Sequence, residues 1–147
     1  MGAKNSDGGP PNKKDSCRKA WVFFVCYTHQ RKSTKKTYPL YWSGSAAGHV
    51  QSGESYLEAA LRETEEELGM RVLLQEVGKF TSEADREIVT VFIGRSEGPY
   101  KLEEAVIEKA ENYSPERLRI DAPNMKMTSY LEAAIPMVEK LLSKQSP

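Results

Sequence analysis

Apolar and polar positions follow two periods along this chain, and each period predicts elements. Residues 20–27 (AWVFFVCY) form a continuous β-branched and aromatic run, the pattern of a buried strand. Residues 71–80 and 87–94 are further strand candidates; in the second, Ile88, Thr90 and Phe92 alternate with Val89, Val91 and Ile93. A basic loop at 31–36 is followed by a short extended piece at 38–44. From residue 55 the period changes. Ser55 with Glu58 three residues later is a capping box that opens a helix, and Gly69 stands where a left-handed residue closes it. Between them Leu57, Leu61, Thr64 and Leu68 repeat at helical intervals as one mostly apolar stripe. Ser114 and Pro115 start a short helix at 114–118, since proline suits the first helical position. Ser129 with Glu132 begins a last amphipathic helix through Leu142, kinked or broken near Pro136. Strands interleaved with helices predict an α/β fold, a mixed sheet covered on both faces.

Composition narrows the class. At 147 residues this is one domain, with residues 1–16 (MGAKNSDGGPPNKKDS) as a polar, glycine- and proline-rich disordered tail and 17–147 as the folded part. Lysine plus arginine equal aspartate plus glutamate at 21 each, so no global field favours DNA, RNA or a membrane. Cys17 and Cys26 provide neither a disulfide framework nor zinc spacing; Cys26, in the apolar run, reads as a buried thiol in a reduced, cytoplasmic setting. No apolar stretch approaches the ~20 residues of a membrane span, and no secretory signal is visible. The start Met-Gly-Ala-Lys-Asn-Ser fits the N-myristoylation pattern, with Gly2 as acceptor and Ser6 at the required place. A single such chain holds a membrane only weakly, and Lys13 and Lys14 add little.

The chemistry concentrates in the predicted helix at 55–69. Glu63, Glu66 and Glu67 fall within one turn of one another, where like charges repel by a few tenths of a kcal/mol per pair. Hard divalent cations seek such carboxylate oxygens, although an acidic helix face is more often plain solvated surface. The loop ahead of the helix changes that weighting. Gly48, Glu54, Arg62, Glu63, Glu66, Glu67 and Gly69 stand at the spacing Gly-x5-Glu-x7-Arg-Glu-x2-Glu-Glu-x-Gly, which resembles the signature of the Nudix family without a gap. Thr64 is a mild departure, occupying a position where that family usually has an aliphatic residue.

The resemblance implies an α/β/α sandwich with a mixed sheet, carrying the signature as loop–helix–loop. It also implies hydrolysis of a diphosphate in a nucleoside diphosphate-linked small molecule, with Mg2+ or Mn2+ as cofactor. By the same resemblance Glu63, Glu66 and Glu67 are metal ligands, joined by the backbone carbonyl of Ala47, and the catalytic set is Glu63, Glu67 and Arg62. Glu63 orients or deprotonates the water, unless the base comes from a later loop, where Glu104, Glu108 and Glu111 are candidates. Arg62 and Glu54 form an ion pair tying loop to helix, Gly48 lets the chain pass close to the metal, and Gly69 gives a sharp helix exit. For the substrate side, Arg31 and Lys36 of the basic loop (with Lys32 and Lys35) and His49 beside the metal loop are phosphate-binding candidates. His29 reads as an ordinary loop histidine.

Beyond the signature, the basic loop, Tyr38-Pro39, Trp42, residues 45–55 (SAAGHVQSGES), 87–92 (EIVTVF) and 113–118 (YSPERL) are similar to the Nudix branch related to isopentenyl diphosphate isomerase. The first strand region is shortened against that branch. Where those isomerases carry their catalytic cysteine, this chain has Ala47, or at nearest Ala46, and it keeps every member of the Arg-Glu-x2-Glu-Glu set. A hydrolase is therefore the leading reading. The rivals are an isomerase of isoprenoid diphosphates and a non-catalytic module that binds a nucleotide or a protein. Asp85 and Arg86, about 16 residues after the signature, carry no marker of a substrate subfamily.

Overall fold

A computed structural model describes residues 18–24, 28–83, 85–96, 99, 101, 104–105, 107–111 and 113–145. The expected tail with Gly2, and both cysteines, lie outside the described residues. Strands β1 (Arg18–Phe24), β4 (Ala46–His49), β5 (Leu74–Ser82) and β6 (Glu87–Gly94) build one sheet in the order β4-β1-β6-β5. It is mixed: β1 runs parallel to β6 and antiparallel to β4, and β5 is antiparallel to β6. A second sheet, β3-β2-β7, is antiparallel and consists of β2 (Thr28–Arg31), β3 (Trp42–Ser43) and β7 (Ile107–Glu111). The helices are α1 (Tyr56–Leu68), α2 (Pro115–Asp121) and α3 (Ser129–Gln145), with a 3-10 turn at Ala122–Asn124.

Strand β6 shows why the sheet needs helices on both faces. Val89, Val91 and Ile93 belong to one core with Leu118, Leu131, Ala134 and Val138, mostly from α3. Phe92, pointing the other way, joins Ala20, Ala46, Ala59, Ala60 and Leu68 beneath α1. The expected α/β/α sandwich is the observed fold. Among the described residues no helix is long and apolar enough to cross a membrane.

Helix α1 begins and ends as its sequence dictates: the reciprocal capping box joins Ser55 and Glu58, and Gly69 closes the helix at φ 66°. Its buried face differs from the expected stripe. Ala59, Ala60, Thr64 and Leu68 are buried, whereas Leu57 and Leu61 are 43% and 37% exposed. Small alanines let the helix seat closely on β1 and β4, and this turns the leucines toward the rim. Thr64, the atypical signature residue, is accommodated by donating its hydroxyl to the Ala60 carbonyl at 2.7 Å.

Other expectations need correction. Residues 71–73 do not pair, so the strand expected from 71 starts at Leu74 and runs on to Ser82. Of the extended piece at 38–44 only Trp42–Ser43 is a strand, because Tyr38 and Leu40 take positive φ of 51° and 61°. Helix α3 is capped by Thr128 rather than Ser129: its hydroxyl accepts from the Leu131 N–H at 3.3 Å and its carbonyl from that of Glu132. The helix continues unbroken past Pro136, with Ala134, Ile135 and Val138 buried on either side of it. His29 is not a loop residue; it is buried in β2, opposite Ser43.

Candidate active site

Strand β4 and helix α1 bring the signature residues to one place. Gly48 pairs with Ala20 across the sheet and lies directly against the Glu63 side chain, so that a Cβ at this position would collide with the Glu63 carboxylate. The glycine is required by this close approach, as its φ is not in the left-handed region. Glu67 reaches the same loop, accepting the Ala47 N–H at 3.3 Å.

Arg62 organises the acids. Its Nε and Nη2 donate to the two oxygens of Glu54 at 2.7 and 3.1 Å, and Nη2 also donates to the His49 carbonyl at 3.1 Å. This is the expected tie between loop and helix. Nη1 bridges Glu63 at 2.5 Å and Glu66 at 3.4 Å. These bonds, the one to Glu54 first, hold the guanidinium charged well above its already high range. Burial pushes Glu54 upward, but the Arg62 hydrogen bond and charge win and its pKa is lowered. Glu63 goes the other way: burial raises it, neighbouring Glu66 adds to the effect, and Arg62 compensates only in part.

Three carboxylates, Glu54, Glu63 and Glu66, thus share one guanidinium, and half-buried Glu63 lacks full compensation. That charge demand, with oxygen donors on one short loop and one helix face, fits a hard divalent cation. Among the described residues no three acidic, histidine or cysteine groups already form a cage. Magnesium is commonly held by one or two carboxylates plus substrate phosphates, so a preformed cage is not needed. Glu63, Glu66 and Glu67 are the side chains suited to hold it. At Ala47 the contact that the structure shows is made by its N–H, not its carbonyl.

A cleft of about 210 Å3 opens beside this loop, with Ala47 and His49 in its wall. Arg31 lines it, half-buried, with Nε donating to the Thr37 carbonyl and Nη2 to the Thr37 hydroxyl. His49 faces Glu87, with 2.6 Å between Nε2 and Oε1. Lys36 is exposed and does not line the cleft, and Lys32 pairs instead with Glu108 at 3.8 Å. Of the basic loop, only Arg31, which closes β2, turns inward. The later acids are also elsewhere: Glu104 is exposed, and Glu111 pairs with Lys109 at 3.4 Å.

Among the lining residues that sequence reasoning missed, three are linked to His49 or to one another. Lys19 stands opposite His49 in the sheet, Tyr130 donates its hydroxyl to Glu87 at 2.7 Å, and Glu87 thereby joins His49 to α3. A lysine one residue ahead of an apolar strand was the available signal for the first; Glu87 and Tyr130 carried none. A larger groove of about 510 Å3, lined by Leu73, Leu74, Ile93 and Leu142, contains none of the signature residues.

The profile of the NUDIX domain matches residues 18–131. The chain belongs to the Nudix family. An uncharacterised Nudix hydrolase of Pseudomonas aeruginosa is 40% identical over 90 residues, which are 59% of this chain and 53% of that protein. An isopentenyl-diphosphate Delta-isomerase of Nocardia farcinica is 43% identical over 51 residues, 35% of this chain and 29% of the isomerase. The matched stretch spans about half the length of such Nudix hydrolase relatives. Among solved structures, a Deinococcus radiodurans protein superposes with a TM-score of 0.73 at 22% identity, covering 92% of this chain and 96% of its own. That likeness establishes the Nudix fold, and the partial one to isomerases agrees with the branch that the sequence resembles.

Proposed function

We propose that this Nudix domain is a metal-dependent hydrolase that cleaves the diphosphate linkage of a nucleoside diphosphate-linked small molecule. The observation that carries this reading is the seating of Gly48 against Glu63 while Glu67 reaches Ala47, which itself lines a cleft that holds Lys19 and Arg31. The cation, Mg2+ or Mn2+, would be held by Glu63, Glu66 and Glu67; when bound it supplies charge neutralisation on the phosphoryl oxygens and activation of water. The residues do the rest. Glu63, whose burial raises its affinity for a proton, orients the water and accepts its proton. Arg62 fixes Glu54 and the loop, and it holds Glu63 in place until the substrate arrives. Arg31 and His49 bind phosphate oxygens from the cleft wall. Water oxygen bonds to phosphorus, the bridging P–O bond breaks, and its electron pair leaves on the departing phosphate.

The isomerase reading has partial sequence likeness behind it. It meets an alanine methyl at Ala47 in the cleft wall, a group that can neither donate nor accept a proton. A panel of nucleoside diphosphate-linked compounds with magnesium, together with isopentenyl diphosphate, separates the readings. Release of a nucleotide or phosphate and no dimethylallyl diphosphate is expected. Double-bond migration without hydrolysis would replace this reading with the isomerase, and binding without either reaction would favour a non-catalytic module.

A further inference from the structure

Among the described residues, two of the cations in the cleft are contacted by no carboxylate. Lys19 projects from β1 with its ammonium 4.3 Å from the centroid of the Tyr130 ring, and among the described residues it makes no ion pair or hydrogen bond. Arg31 places Nε and Nη2 on Thr37 and likewise has no ion pair among the described residues. The acids of the same cleft are engaged elsewhere. Glu87 accepts from Tyr130 and contacts His49, and Asp85 accepts from the Ser82 hydroxyl. Burial lowers the pKa of both cations. Against it, Glu87, Asp85 and Glu67 act on Lys19, and Glu67 acts on Arg31. Both cations therefore stand within the field of Glu67.

A cation drawn partly out of water without a contacting counter-ion is unfavourable, and an anionic ligand removes that cost. The cleft, about 210 Å3, gives a phosphate group room beside these cations. The Tyr130 ring beneath the ammonium keeps Lys19 extended into this space, by a cation–π contact that leaves its N–H donors available.

We infer that Lys19, together with Arg31, binds the phosphate of the diphosphate remote from the acidic helix, and that Tyr130 positions Lys19 for it. This rests on the proposed diphosphate chemistry of the site. It adds that the cleft recognises the phosphate end itself.

The test is calorimetric titration with methylenediphosphonate, a diphosphate that cannot be hydrolysed, in the presence of magnesium. Loss of a charge-assisted hydrogen bond in Lys19→Met should weaken Kd by about tenfold or more. Methionine is uncharged and of similar length, so the thermal midpoint should hold. Lys19→Arg should restore most of the affinity, and KM for a hydrolysed substrate should rise with Kd while kcat changes less. Tyr130→Phe preserves the ring and serves as a second variant, expected to bind within about threefold of wild type on the same scale. An unchanged Kd and KM in a folded Lys19→Met protein would overturn the inference and leave the hydrolase reading standing. Tight Lys19-dependent binding without hydrolysis of any diphosphate would do the reverse.

Discussion

Acidification should destabilise this domain through one buried imidazole, by an amount that follows from its surroundings. His29 lies in β2, 8% exposed, with no hydrogen-bond partner for Nδ1 among the described residues. Burial, and next the charge of Arg31, lower its pKa from 6.5 to about 4, while backbone hydrogen bonds to Gly44 and Ser45 pull the other way. The folded state therefore favours the neutral ring. Above pH 6.5 both folded and unfolded chains carry it neutral, and the full stability is present. As the pH falls from 6.5 toward 4 the unfolded chain takes up a proton that the folded one refuses, and below about 4 the effect is complete. At 1.36 kcal/mol per unit the gap corresponds to about 3 kcal/mol, a large share of the stability of a domain this size. The assay is urea unfolding of wild type and His29→Gln at steps from pH 7 to pH 4. Glutamine is neutral throughout, and the titrating carboxylates are common to both proteins and cancel in the difference. The stability advantage of wild type over variant should shrink by about 3 kcal/mol across this range. Parallel profiles would refute the reasoning, because they would mean that His29 titrates alike in both states.

Gly48→Ala should lower both the thermal midpoint and turnover, since the new methyl meets the Glu63 carboxylate and must displace loop or helix at a cost of about 1–3 kcal/mol; full activity would show that the close approach is dispensable. Leu131→Ala, at a fully buried position between α3 and β6, should cost about 2–5 kcal/mol in chemical unfolding while activity per folded molecule is kept. A cost under 1 kcal/mol on the same scale would contradict the described packing.

What was legible in the sequence was local. The capping box at Ser55, the left-handed exit at Gly69 and the alternation along β6 all express interactions within a few residues, and each was observed as expected. The Arg62–Glu54 tie was legible too, because a fixed spacing brings the two side chains together once the helix forms. The cleft was not. Lys19, Glu87 and Tyr130 come from three distant segments and meet only through pairing of β1 with β4 and β6 and the docking of α3. No local pattern encodes that meeting. The basic loop misled for the same reason: its charges are adjacent in sequence, yet only Arg31, anchored on Thr37, turns toward the site while Lys36 faces solvent. Leu57 and Leu61 have helical spacing with the core residues, but alanines at 59 and 60 seat α1 closer than leucines allow.

The central claim is that the acids of α1 hold a divalent cation for attack on a diphosphate, and Glu67→Gln addresses it most directly. Glutamine keeps the shape of the side chain and an oxygen for the Ala47 N–H, but removes the charge that a cation needs. Turnover of a diphosphate substrate in saturating magnesium should fall by about a hundredfold or more. The unfolding midpoint without metal should stay the same or rise as repulsion from Glu63 and Glu66 is relieved. Wild-type turnover in a folded Glu67→Gln protein would contradict the account.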